Sequence, residues 1–133
     1  MLNILIISKD GSLQKLMRQL MGRWFPGVNI VAATSQKSAL RVNASLHPEI
    51  VLLDMSMPAR GDVALIQEIK ADNDSAALLV LSYCTYREYF DGAIASDLVS
   101  YFDIASNSLF DELRSSMHRI FEHRVAASGP STR

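Results

Sequence analysis

Asp54 directly follows Ile50-Val51-Leu52-Leu53 and precedes Met55-Ser56-Met57-Pro58, which sets a carboxylate at the mouth of an apolar run with a proline restricting the loop beyond it. Such a group can ligate a hard cation or pair with an ammonium. A second polar cluster, Ser8-Lys9-Asp10, follows the apolar run Ile4 to Ile7, and a lone hydroxyl, Ser82, follows Leu78 to Leu81. The three histidines offer less. His47 precedes a proline in a connection, and His118 and His123 are five positions apart, whereas a metal pair on one helix face needs four. They read as surface residues. The segment Ser8-Lys9-Asp10-Gly11-Ser12 has a single glycine, too few for a phosphate-cradling loop, and no Cys-His or Ser-His-Asp arrangement is set out for acyl transfer.

Five short apolar runs position these groups: Ile4 to Ile7, Val28 to Ala33, Ile50 to Leu53, Leu78 to Leu81 and Leu98 to Phe102. Each has strand length without strict polar alternation, the look of strands covered on both faces. Helical spacing fills the intervals. Leu13, Leu16, Met17, Leu20 and Met21 share one face behind Ser12 as N-cap, and Pro26-Gly27 stops that helix. Ser35 to Leu46 forms a second helix closed by His47-Pro48, and Val63 to Ala71 a third closed by Asp72-Asn73-Asp74. A fourth, Tyr86 to Ser96, is less periodic. The fifth follows Ser108, with Asp111 as a weak capping-box partner, presents Leu109, Leu113, Met117, Ile120 and Phe121, and ends near Arg124. Strict alternation of strand and helix implies right-handed crossovers and a doubly wound five-stranded parallel sheet with helices on both faces. Function then belongs at the carboxyl ends of the strands, at Ser8 to Asp10, Asp54, Ser82 and the stretch from Asp103.

The 133 residues make one domain, expected at 1–124, with 125–133 as a flexible tail or the start of a linker. Apolar residues are 49% and charged residues 20%, as in ordinary globular proteins, and the formal charge of -1 gives no field favouring nucleic acid or an anionic membrane. Cys84 is the single cysteine, which excludes an intrachain disulfide and fits a reducing compartment. The opening Met1 to Ser8 is too short to span a bilayer and lacks the charged start of a signal peptide, so a cytoplasmic location is expected.

With Val51-Leu52-Leu53-Asp54-Met55-Ser56-Met57-Pro58, Gly61, and the segment from Val80 to Tyr89 in view, the sequence resembles the response-regulator receiver family, especially receivers preceding LuxR-type DNA-binding domains. The resemblance runs from about Asn3 to Arg124. It implies the flavodoxin-like strand order 2-1-3-4-5, and it implies that Asp54 is the phosphoacceptor for a histidine kinase. Ser82 would bond the phosphoryl oxygens, and Tyr101 would be the aromatic that turns in or out with that movement; equally, Tyr101 could be one more ring on an apolar strand.

Three departures bear on chemistry. The family places an acidic pair after its first strand, where this chain has Ser8 and Lys9, and a lysine after its fifth, where this chain has Ile104. Phosphoryl transfer rests on positioning and charge neutralisation by Mg²⁺ held on carboxylates. Lys9 and Asp54 already sum to zero. Unit charges about 4 Å apart attract by about 4 kcal/mol at an effective dielectric of about 20, less desolvation, so Lys9 is expected to substitute for the metal. No cofactor is expected. Under the alternative, Mg²⁺ would sit on Asp54, Asp10 and the Ser56 backbone; otherwise Asp10 stabilises the start of the first helix.

Two readings follow. In the first, the domain is an atypical receiver, not an enzyme, working through a protein partner or a second copy docked on the face of the fourth helix, fifth strand and fifth helix, where Tyr86, Tyr89 and Phe90 either meet a partner or simply cover the sheet. In the second, phosphorylation of Asp54 controls a DNA-binding domain outside this chain, since no helix-turn-helix follows the fifth helix. Neither reading has the domain itself touch nucleic acid or membrane.

Overall fold

The structure, a computed structural model, describes residues 2–55, 61–83 and 99–127, with side chains through 124. Five strands, β1 (Asn3–Ile7), β2 (Asn29–Ala33), β3 (Ile50–Asp54), β4 (Ala77–Ser82) and β5 (Val99–Asp103), form one parallel sheet in the order β2-β1-β3-β4-β5. All five expected strands are present, shifted by at most one residue at either end. The described helices are α1 (Gly11–Trp24), α2 (Gln36–Leu46), α3 (Asp62–Asp72) and α4 (Leu109–Ala127). The helix expected at Tyr86 to Ser96, with Cys84, Tyr89 and Phe90, lies outside the described residues.

The period of two along a strand divides the core. Ile4, Ile6, Ile50, Leu52, Leu79 and Leu81 face one way and meet Met17 and Met21 of α1 and Leu113 and Met117 of α4. Leu5, Val51, Leu53, Leu78 and Val80 face the other way and meet Ala39 of α2 and Leu65, Ile66 and Ile69 of α3. Both faces of the central strands are thereby dry, which is why their sequences read as continuous apolar runs.

The helix ends correct two expectations. The N-cap of α1 is Asp10, not Ser12: its backbone is extended, and its carboxylate accepts from the amides of Ser12 at 2.9 Å and Leu13 at 3.2 Å. Ser12 lies inside the first turn. At the start of α4, Ser108 donates to Glu112 at 2.7 Å and Ser106 reaches the same carboxylate at 3.1 Å, so Glu112, whose longer side chain bends back, takes the place expected for Asp111. The same helix runs three residues beyond Arg124. The other boundaries follow the expected signals: Ser35 caps α2, His47 ends it in the left-handed region at φ 50°, and α3 stops at Asp72-Asn73.

Candidate functional site

The carboxyl ends of β1, β2 and β3 and the starts of α2 and α3 enclose a cavity of about 210 Å³, lined among others by Ser8, Lys9, Asp10, Gln36, Asp54 and Asp62. Its position is dictated by topology, since β1 and β3 are neighbours whose crossovers leave on opposite faces of the sheet. Asp54, the last residue of β3, is half-buried and held in line by the ladder to β4, which Met55 continues by donating to the Leu81 carbonyl at 2.8 Å.

The side chain of Ser8 hydrogen-bonds the Asp54 carboxylate. Its hydroxyl, in a residue 2% exposed, lies 2.8 Å from Asp54 Oδ2 and 3.2 Å from the Asp10 carbonyl, and a serine has one proton to give. The nearer, charged acceptor takes it. The amide of Asp10 donates back to Ser8 Oγ at 3.0 Å, and the Ser8 amide extends the sheet by donating to the Ala33 carbonyl at 3.1 Å. Gln14 adds a side-chain donor to the same Ala33 carbonyl at 3.3 Å. Backbone and side chain of Ser8 are both hydrogen-bonded in this orientation.

Lys9 corrects the electrostatic expectation. It lines the cavity but is exposed, and among the described residues Ser8, not Lys9, supplies the side-chain hydrogen bond to Asp54. A long, strongly hydrated ammonium gains more from water than from a half-buried carboxylate already supplied with a donor. Asp10 is spent on the α1 cap, and Ser56 lies outside the described residues. Among the described residues, no group of three His, Cys, Asp or Glu is placed to hold a metal ion.

The far side of the site is differently built. Ser82 ends β4, is 3% exposed and directs its hydroxyl to the Tyr83 carbonyl at 3.3 Å. Tyr101, opposite Val80 in the ladder, packs against the α2/α3 side of the core with its hydroxyl oxygen buried. Ile104 continues the β4–β5 ladder by donating to the Ser82 carbonyl at 3.0 Å, but its side chain packs into the α1/α4 core. The residue in the lysine position thus joins the cluster on the face opposite Tyr101.

Sequence reasoning looked only to strands one, three, four and five and so missed the contribution of β2. Thr34, Ser35 and Gln36 line the cavity because β2 lies beside β1, and Gln36 packs on Gly61, whose φ of 94° opens α3 and whose missing side chain leaves room for that amide. Asp62, 6% exposed, follows that turn into the same cavity. The signal available was the strand order itself, which makes the end of the second strand a neighbour of the first.

Comparison with known proteins bears on the fold and the family. The family description "Response regulator receiver domain" matches residues 4–103. The chain is 33% identical over 86 residues to the transcriptional regulatory protein MalR of Bacillus subtilis, a match covering 62% of this chain and 35% of that protein, so the chain spans about a third of that relative. Among solved structures, the signal receiver domain of an HD domain-containing protein from Pseudomonas fluorescens superposes with a TM-score of 0.77 at 18% identity, covering 94% of this chain and 98% of that one. The response regulator TrrA of Thermotoga maritima, solved with Mg²⁺-BeF, superposes with a TM-score of 0.72 at 24% identity over 90% and 99% of the two chains. Strand order and the family match agree: the chain belongs to the response regulator receiver domain family of two-component signalling.

Proposed function

We propose that this receiver acts in the cytoplasm as an atypical signalling module, docking on a protein partner or a second copy without Mg²⁺-dependent phosphorylation of Asp54. The observation that carries this reading is the 2.8 Å hydrogen bond from buried Ser8 to Asp54 Oδ2. A hard dication needs oxygen lone pairs in a near-octahedral set, and Mg²⁺ gives up its water reluctantly. Ser8 presents a proton to the carboxylate oxygen instead of a second anion to the metal, and Lys9 at the rim repels a dication. Among the described residues lining the cavity, neutralisation of a phosphoryl group would fall to Lys9, since Ile104 is packed into the core on the α1/α4 side.

The second reading, a phosphorylatable receiver that controls a DNA-binding output, is favoured by the likeness to MalR, a transcriptional regulatory protein, and by TrrA having been solved with a Mg²⁺-BeF ligand. Treatment with acetyl phosphate and Mg²⁺ followed by intact-mass measurement separates the two. The first reading expects no adduct, and expects modification in the variant Ser8→Asp/Lys9→Asp/Ile104→Lys that disappears on adding Asp54→Ala. An adduct on the unaltered chain that is lost with Asp54→Ala establishes the second.

A further inference from the structure

The end of the sheet opposite Asp54 holds a lysine that no step at the Asp54 site uses. Lys70, in the last turn of α3, is half-buried and folds its ammonium over the connection into β4, where it donates to the Asp74 carbonyl at 2.5 Å and the Ala76 carbonyl at 3.0 Å. Arg124 of α4 donates to the carbonyl between them, that of Ser75. Three consecutive carbonyls thus draw two cations onto one short connection, and the guanidinium acts on the charge of Lys70. The chain's other lysines, Lys9, Lys15 and Lys37, are exposed.

An ammonium has three N–H donors, and here carbonyls take two of them. A neutral amine therefore keeps both protein hydrogen bonds and carries its lone pair where the third N–H was, directed away from the two carbonyls. Loss of water around the half-buried ammonium pulls the group below the usual lysine range, a fall that the Asp74 carboxylate opposes and the Arg124 guanidinium reinforces. A desolvated lysine beside a second cation is an arrangement that activates an amine as a nucleophile. We propose that Lys70 is a site of acylation by a phosphate-bearing acyl thioester. The nitrogen attacks the thioester carbonyl carbon and forms an amide; the C–S bond breaks, and the thiolate leaves with its electron pair and takes up the proton that the nitrogen releases. Nothing is oxidised or reduced. The guanidinium that favours the neutral amine also attracts the phosphates of the carrier. Acylation removes the charge and leaves one N–H, so one of the two carbonyls loses its donor and the connection into β4 is loosened. The inference does not depend on whether Asp54 is modified, since the two groups lie at opposite ends of the sheet.

Incubation of the full chain with acetyl-coenzyme A at mildly alkaline pH, followed by peptide mass mapping over time, tests it. Lys70 is expected to be acetylated at least about fivefold faster than Lys15 or Lys37. Arg124→Gln slows the reaction at Lys70 at least about threefold, and Arg124→Lys, which keeps the charge, retains most of the rate. Asp74→Asn removes the opposing carboxylate while keeping the backbone carbonyl, and so speeds it. Lys15 and Lys37 react equally in every variant. With S-acetyl-N-acetylcysteamine, a thioester without phosphate, Arg124→Gln has a smaller effect, because only the amine is then altered. Circular dichroism melts identify any variant that fails to fold, in which case Asp74→Asn, at an exposed residue, decides. Lys70 modified no faster than Lys15 and Lys37, or slowed by Asp74→Asn, overturns the proposal; an equal effect of Arg124→Gln with both thioesters overturns the assignment of a phosphate-bearing donor.

Discussion

At the scale of single residues, a buried polar side chain is informative because it must be paired. Ser8 meets that demand at Asp54, and Asn43 meets it far from the site. Asn43 is fully buried, donates to the Ile69 carbonyl at 3.2 Å and accepts at 3.2 Å from Asn73, whose amide also reaches the Pro48 carbonyl at 2.8 Å. This amide pair ties α2 to the end of α3. Asn43→Ala leaves one N–H of the Asn73 amide unpaired, takes from the Ile69 carbonyl one of its two donors, and opens a void, so a loss of about 2–3 kcal/mol is expected in urea unfolding. An unchanged midpoint would show that water replaces the pair. Nothing in the sequence marks Asn43 as central; it reads as one polar residue in a helix, because its partners are 26 and 30 positions away.

At the scale of elements, the ends of helices set the geometry of the site. Because Asp10 caps α1 while its amide holds Ser8 Oγ, the start of the helix and the carboxylate cluster are joined by one residue. Asp10→Ala should cost about 1 kcal/mol, and Ser12→Ala less than about 0.5 kcal/mol, measured by thermal or urea unfolding. Equal costs would return the cap to Ser12. At the start of α3, Gly61 has φ 94° and a Cβ there would lie 3.4 Å from the Gln36 amide. Gly61→Ala is expected to lose about 1–2 kcal/mol through the left-handed backbone. Adding Gln36→Ala should not restore it, because the strain is in the backbone; full recovery would place the cost in the contact instead.

At the scale of the whole molecule, stability is graded across the sheet. Val51, Leu52 and Leu53 of β3 are at most 1% exposed between two neighbours, whereas Ile30, Val31 and Ala32 of edge strand β2 are only half-buried. Amide exchange should follow: β3 opens only with global unfolding, and β2 exchanges at least about tenfold faster. Equal rates would mean that the sheet opens as one unit.

What was legible in advance follows a simple division. Strand number, parallel pairing, the helical intervals and the position of Asp54 could be read from the amino-acid sequence, because buried strands and helix faces write their periods into neighbouring residues. The partner of Asp54 could not. Ser8 and Lys9 are adjacent in the chain, and Coulomb's law alone favours the lysine; the pleat of β1, the sheet bond to Ala33 and the cap at Asp10 bring the hydroxyl to the carboxylate and leave the ammonium in water. Likewise Ile104 announced a lost charge, but only packing showed which face of the sheet it joined, since that depends on groups from α1 and α4 that are distant in sequence and meet only once the chain has folded.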